Sequence, residues 1–268
     1  MSATISSINY CPVKSVSFQT IEKCEIKKDV GIIGDRIFAF AKDLDLDKAQ
    51  LFEKSPEERK GKWNKVLTLK NSPVLNKYNF LFKENKLTLT FKDKEILTIN
   101  ASELSERQLL SNKILELENS LKKPIVLMKN EELPFFDTSI SNKVDFVNSV
   151  SLLNIQSIND FQKKIDKKVE ISRFRGNICI DGIKPWEERE WIGKTIKINN
   201  ISFKVEKNIP RCVAINLKPA TDDNSLNLLQ SLKKNYNHFE MGIYLTALYD
   251  GEINLDNKVE IIIWYNIL

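Results

Sequence analysis

Along the first hundred residues apolar and polar positions alternate in short runs: TISSINYCPV, TIEKCEIKKDV, RIFAFAKD, KWNKVLTLK and KYNFLFKENKLTLTFKDKEILTI. A period of two puts one face of each segment against a core and the other in water, so these runs predict β-strands in a barrel-like unit. Within the last run, Glu84 and Asn85 separate two alternating segments and mark a hairpin turn. Helical signals interrupt the pattern. In SPEERKG, Ser55 can cap, Pro56 suits the first helical position, Glu58 completes a capping box and Gly61 can end the turn. A longer helix is predicted in SERQLLSNKILELENSLKK, where Leu110, Ile114, Leu117 and Leu121 fall on one stripe. It forms the joint between two halves, with a boundary near residues 118 to 123.

Beyond the joint, KKPIVLMKN predicts a strand, LPFFDTSISNKVDFVN a loop-rich passage, and NIQSINDFQKKI a helix with Ile155, Ile158, Phe161 and Ile165 at helical spacing. The strand GNICIDG and the hairpin TIKINNISFKVEK follow, with Asn199 and Asn200 at the tip, where asparagine tolerates positive φ. A last helix, SLNLLQSLKKNY, precedes two closing strands in MGIYLTALYDG and KVEIIIWY. The pattern predicts a β-rich α+β chain in two domains, residues 1–120 and 121–268, with a few packed helices.

Composition narrows the function. With 268 residues and 42% hydrophobic content the chain can bury a core, so disorder is not expected. The net charge of +5, from 41 basic and 36 acidic residues, is spread rather than clustered. Most lysines alternate with apolar residues, unlike the basic face of a nucleic-acid binder, so no nucleic-acid partner is expected. The four cysteines show neither CxxC nor zinc spacing, the first residues lack an apolar signal core, and no run approaches the ~20 residues of a membrane span. A cytoplasmic protein without a membrane span is predicted. The single His238 restricts any Ser-His or Cys-His device to one imidazole, and nothing beside it in sequence supports one.

Three segments place a cation or hydrogen-bonding side chain beside a backbone-restricting residue: YCPVKS with Pro12, Lys14 and Ser15; GIIGDR with Gly31, Gly34 and Arg36; and RFRGN with Arg173, Arg175, Gly176 and Asn177. Lysine, arginine and serine together can hold a phosphate or other anion. The ordinary reading of the GDR step is a turn with a local ion pair. Arg175 carries more weight, because a cation beside the apolar strand NICI needs an anionic partner or a route to solvent. Finally, NIPRCVAIN sets Cys212 directly after Pro210 and Arg211. It reads either as a thiolate stabilised by the adjacent guanidinium, able to ligate a soft metal, or as a small apolar filler. With no Cys/His cluster in the chain, a metal held by Cys212 must arrive with most of its own ligands.

In order, YCPVKS, GIIGDRIF, SLLNIQSINDF, RFRGNICIDG, PRCVAIN and MGIYLTALYDGEI resemble the MOSC-domain proteins, and among them the type that joins an N-terminal MOSC β-barrel domain to the MOSC domain proper. The resemblance implies a molybdenum cofactor, molybdenum on molybdopterin. Lys14, Ser15, Arg36, Asn154, Arg175, Asn177 and Arg211 would bind it, and Cys212 would be the metal ligand and catalytic residue. The family is also associated with pyridoxal phosphate binding. Against the family pattern, Cys11 stands for an aromatic, Asn154 for a serine or threonine, Gly176 for the proline of FRPN, and Pro210 for a serine. The implied activity is an oxidoreductase that reduces small N-hydroxylated or N-oxygenated substrates, supplied with electrons by a separate flavin, iron–sulfur or haem protein. The alternative is a sulfur or cofactor carrier in maturation, without turnover of its own.

Overall fold

In the computed structural model, which describes residues 3–16, 18–59, 61–122, 124–136 and 149–262, most of the alternating runs become strands. The first half contains β1 (Ala3–Tyr10), β2 (Gln19–Ile21), β3 (Lys23–Lys27), β4 (Gly31–Ile32) and β5 (Phe38–Lys42). Helices α1 (Leu46–Lys54) and α2 (Pro56–Arg59) follow, then β6 (Tyr78–Lys83), β7 (Lys86–Phe91), β8 (Lys94–Asn100), α3 (Leu104–Leu117) and β9 (Ile125–Lys129). The second half contains β10 (Val150–Asn154), α4 (Ile155–Ile165), β11 (Ile178–Asp181), β12 (Thr195–Ile198), β13 (Ile201–Pro210), α5 (Leu228–Tyr236), β14 (Glu240–Ala247), β15 (Gly251–Asn254) and β16 (Lys258–Ile262). Residues 137–148 of the loop-rich passage and 263–265 of the closing strand lie outside the described residues.

Seven strands close a barrel in the order β1, β11, β10, β14, β13, β12, β16 and back to β1. Every neighbour pair is antiparallel except β10 with β11. Ile5, Ile8, Leu152, Ile180, Ile198, Phe203, Ile243 and Leu245 fill its interior. The leading strand therefore belongs to the barrel of the trailing half, and β15 returns the exchange by pairing with β3. Conversely β9, just after residue 120, pairs with β5. Backbone pairing thus crosses the expected boundary in both directions.

The β5–β9 ribbon explains two continuously apolar runs, FAFA and IVLM. Phe38, Phe40, Ile125 and Leu127 face the cluster formed with β6–β8 and α3. Ala39, Ala41, Val126 and Met128 face Ala49 and Phe52 of α1 on the other side. A strand buried on both faces loses its alternation. Helix α1, which the sequence pattern did not predict, starts at the cap Asp45, whose side chain accepts from Lys48 N.

Two expectations are corrected. KWNKVLTLK is not a strand: Trp63–Lys65 forms a 3-10 turn, and only Val66 makes a single bridge, to Ala41. Asn71 closes this segment by accepting from Thr68 N at 2.8 Å and donating to the Val66 carbonyl at 3.0 Å. On α3, Leu110 and Ile114 are buried but Leu117 is 37% exposed. Its place in the stripe goes to Glu118, buried against Tyr78 Oη at 2.6 Å and Lys77 at 2.7 Å. At 100° per residue, position 118 follows 114 on the inner face as well as 117 does. The expected turn at Glu84–Asn85 is present, both residues having positive φ, and Lys92–Asp93 repeats it to add the third strand.

Glu188, fully buried in the 3-10 turn Glu187–Trp191, accepts from Asn154 Nδ2 at 2.9 Å and Ser157 Oγ at 2.8 Å. Burial pushes its carboxyl above the usual range, against the pull of those hydrogen bonds. The folded state then holds the proton more tightly than the unfolded chain. The associated stability is complete below the ordinary glutamate value of about 4.3 and is lost as pH rises through the folded value. Glu188→Gln removes the titration, so its unfolding free energy should decline less with rising pH between about 4 and 8 than that of the wild type. Parallel pH profiles for the two proteins would contradict this assignment.

Candidate functional site

Where β1 leaves the barrel, residues 11–14 zip onto residues 36–38. Arg36 N donates to the Cys11 carbonyl at 2.7 Å, Phe38 N to Pro12 at 2.9 Å, and Lys14 N to Phe38 at 2.8 Å. Asp35, only 5% exposed, sits at the crossing. Its Oδ1 accepts from Cys11 N at 2.8 Å and its Oδ2 from Asn177 Nδ2 at 3.0 Å, while the same carboxylate pairs with Arg36. The local ion pair expected in the GDR step is present, and it is also the link to the other half.

Around this crossing the cations converge. The guanidinium of Arg36 lies 5.1 Å from the Phe18 ring centroid and 4.6 Å from that of Phe136. Arg175 lies 4.7 Å from the same Phe18 ring. Its Nη1 donates to the Val16 carbonyl at 2.8 Å and its Nη2 rests 3.7 Å from the Cys11 sulfur. Lys14 is buried, with Nζ donating to the Phe136 carbonyl and 5.6 Å from the Trp63 ring. Ser15, Arg36 and Arg175 have φ of 68°, 53° and 49°. Such left-handed conformations cost a non-glycine residue of order 1 kcal/mol and cluster where surrounding structure imposes them. Cys11 stays a thiol: burial raises it more than Arg175, Arg36 and Lys14 lower it, and its Sγ donates to the Val13 carbonyl at 3.1 Å. Arg175 makes no ion pair among the described residues, and burial lowers its proton affinity below the ordinary arginine value.

Cys212 is exposed, whereas Cys11, Cys24 and Cys179 are buried. It follows β13 and precedes the 3-10 turn Val213–Asn216. Arg211 spends its guanidinium on carbonyls: Nη1 donates to Phe174 at 2.6 Å and Nε to Met241 at 2.9 Å. That grip ties the Cys212 turn to the residue before Arg175. Ala214 of the turn and Arg175 line a common cleft of about 170 Å³ between the halves, with Phe18, Leu69, Asn76 and Asn79 on the facing wall.

Of the residues expected at the site, Lys14, Ser15, Arg36, Arg175 and Asn177 therefore gather at one crossing, and Arg211 ties the segment bearing Cys212 to Phe174, the residue before Arg175. Asn177 is a tie, fully buried: besides Asp35 it donates to the Asn9 carbonyl at 3.2 Å, and its Oδ1 accepts from Ser151 Oγ at 2.7 Å. Asn154 stands apart, at the start of α4. It caps the helix by accepting from Gln156 N at 3.0 Å and donates to the Lys184 carbonyl at 2.8 Å and to Glu188. Sequence reasoning missed Asp35, Phe18, Phe136 and Asn79; only Asp35, adjacent to Arg36 in the quoted GDR step, carried a readable signal.

The family model for the MOSC domain matches residues 147–260. This chain carries a MOSC domain. Its barrel strands β10–β14 fall within that match, β16 begins inside it, and β1 completes the barrel from outside it. Over 130 residues the chain is 32% identical to the molybdenum cofactor sulfurase of Drosophila willistoni, covering 46% of this chain and 16% of that protein. It is 28% identical over 109 residues to mitochondrial amidoxime reducing component 2 of Bos taurus, covering 41% of this chain and 31% of that one. The matches thus span about a sixth and a third of the relatives' lengths. The YuaD protein of Bacillus subtilis superposes over 99% of this chain and 98% of its own, at 10% identity and a TM-score of 0.44.

Packing against β10 accounts for the glycine at position 176. A Cβ built on Gly176 would lie 2.4 Å from Leu153 Cγ, in a fully buried side chain on β10. Gly176→Ala should destabilise the protein by about 2 kcal/mol, the scale of core overpacking. In a Leu153→Ala background the same change should cost less, and a double-mutant cycle from denaturant melts tests it; additive costs would show that Leu153 is not the obstacle.

Proposed function

We propose that this chain binds a molybdenum cofactor in the cleft between its halves and acts as an oxidoreductase toward small N-hydroxylated or N-oxygenated compounds. The observation that carries this reading is one exposed thiol, Cys212, at the start of the turn whose Ala214 lines the same cleft as Arg175, a largely buried cation without an ion pair among the described residues. Removing a cation from water is costly unless an anion compensates. An anionic ligand meeting Arg175, with Lys14 and Arg36 at the adjoining crossing, supplies that compensation. Among the described residues no three His, Cys, Asp or Glu side chains gather to hold a bare metal ion. A metal meeting Cys212 would therefore bring further ligands with it, as an organic chelate does.

When bound, such a cofactor supplies a two-electron centre: the N–O bond of a hydroxylamine breaks, two electrons and two protons are taken up, and an amine and water leave. Cys212 contributes its sulfur as a protein ligand. Arg211, by gripping the Phe174 and Met241 carbonyls, keeps that turn from drifting. Lys14, Ser15, Arg36 and Arg175 orient the anionic end, and Asp35 with Asn177 fixes their spacing. Electrons come from a separate flavin, iron–sulfur or haem protein. No helix among the described residues is long and apolar enough to cross a membrane.

The relatives named molybdenum cofactor sulfurase support a second reading, in which Cys212 carries sulfur or the chain passes the cofactor on. Turnover separates the two. Protein from a cofactor-replete host should contain molybdenum and pterin and should reduce a hydroxylamine with an artificial reductant. Cys212→Ser should lose activity at least about 100-fold, the scale for a group acting at the reacting centre, while keeping pterin through the cationic contacts. Cofactor without turnover favours the carrier, and full activity in Cys212→Ser ends the ligand assignment.

A further inference from the structure

Asn79 on β6 lines the interdomain cleft, and its Oδ1 is buried without a hydrogen-bond donor among the described residues. Its backbone carbonyl is used, accepting from Thr90 Oγ1 at 3.4 Å. Buried side-chain oxygens are ordinarily satisfied, so an acceptor without a donor, on a side chain that lines a ligand-sized cleft, can serve the N–H of a ligand seated against that side chain. Asn76, on the same wall, has no such spare amide: its Nδ2 donates to the Lys218 and Thr221 carbonyls at 2.8 and 2.6 Å. Those two bonds hold the loop bearing Pro219 and Ala220 across the cleft. The rest of the lining is mixed: Phe18, Leu69 and Leu217 are apolar, while Ser172, Arg173 and Arg175 are polar. Arg173 is already paired with Glu170, which leaves Arg175 as the lining cation without an ion pair among the described residues. One acceptor, apolar side chains and a cation complement a compact flat ring that has an N–H donor on one edge and an anionic group on another.

We propose that Asn79 is a specificity determinant whose Oδ1 accepts a hydrogen bond from a ring N–H or exocyclic amine of a pterin-like ligand, while Arg175 holds the ligand's anionic group. This deepens the cofactor reading and rests on it. The role is to select the ring, since an anion lacking a donor edge gains nothing from Asn79. Leu is close to Asn in shape and removes the acceptor, whereas Asp keeps an acceptor oxygen.

The test titrates full-length protein, purified from a host lacking molybdenum cofactor, with 6-carboxypterin and separately with pyrophosphate. Asn79→Leu should weaken 6-carboxypterin binding about tenfold and leave pyrophosphate binding unchanged. Asn79→Asp should retain the pterin affinity. Thermal melting of Asn79→Leu at or above the wild-type midpoint would show that the loss is not misfolding, because the substitution removes a buried unsatisfied group. Equal pterin affinity in wild type and Asn79→Leu overturns the role of Asn79 and leaves the cofactor reading standing. Parallel loss of pterin and pyrophosphate binding overturns it too, as general damage to the cleft. Failure of the wild type to bind 6-carboxypterin overturns the cofactor reading, and the assignment of Asn79 with it.

Discussion

The buried carboxylate of Asp35 is the constraint on which the candidate site depends. It accepts from the Cys11 backbone, pairs with Arg36 and accepts from Asn177, so three segments far apart in sequence are held at one point. Asn177 passes the connection on to Ser151 on β10, and therefore to the barrel wall. Removing one partner of a buried ion pair typically costs 3–5 kcal/mol, because the other charge is left uncompensated. The arrangement thus has little freedom to slide. Closing the barrel with β1 delivers Cys11 to this point, and pairing of residues 11–14 with 36–38 delivers Arg36.

Around that node the protein accepts local costs. Arg36 and Arg175 share the ring of Phe18 despite their like charge. Three non-glycine residues sit in the left-handed region there, whereas most others with positive φ are Asp or Asn at turns and caps. Strain and repulsion persist only where the surrounding structure over-determines them. Here the closed barrel on one side and the doubly buried β5–β9 ribbon on the other supply that stiffness. The same stiffness holds the guanidinium groups of Arg36 and Arg175 in place beside Phe18.

Local order was legible in the sequence where one residue and its neighbours decide the outcome. The Asn199 turn, the Glu84–Asn85 hairpin and the amphipathic face of α4 with Ile158 and Phe161 follow from spacing and turn chemistry alone. Long-range pairing was not legible. Alternation in TISSINY predicts a strand but carries no address: besides the nearby β2, the two partners that close the barrel on β1 lie more than 160 residues away, in β11 and β16. KWNKVLTLK misled for a related reason: Val66 and Leu67 are buried in two different clusters, so apolar spacing there does not report one strand face. At the site, residue types were readable but their employment was not. Asn154 and Asn177 look alike on paper, yet one caps a helix and the other ties Asp35 and Asn9 to Ser151 on β10, because only the fold decides which polar groups lie within reach.

The two cysteines near the cations show why counting charges in sequence is insufficient. Cys11 is within reach of Arg175, Arg36 and Lys14, more positive charge than any motif beside Cys212 offers, and it remains a neutral thiol because burial outweighs them. Desolvation acts on the thiolate itself, while each cation acts through a medium it shares with Asp35. Cys212, by contrast, is exposed. The adjacent Arg211, which in sequence looks like its activator, directs its described hydrogen bonds to the Phe174 and Met241 carbonyls. Its contribution is therefore mechanical: it fixes the turn that presents the sulfur. Under the proposed function it is exposure, more than the identity of the preceding residue, that distinguishes Cys212 from the three buried cysteines.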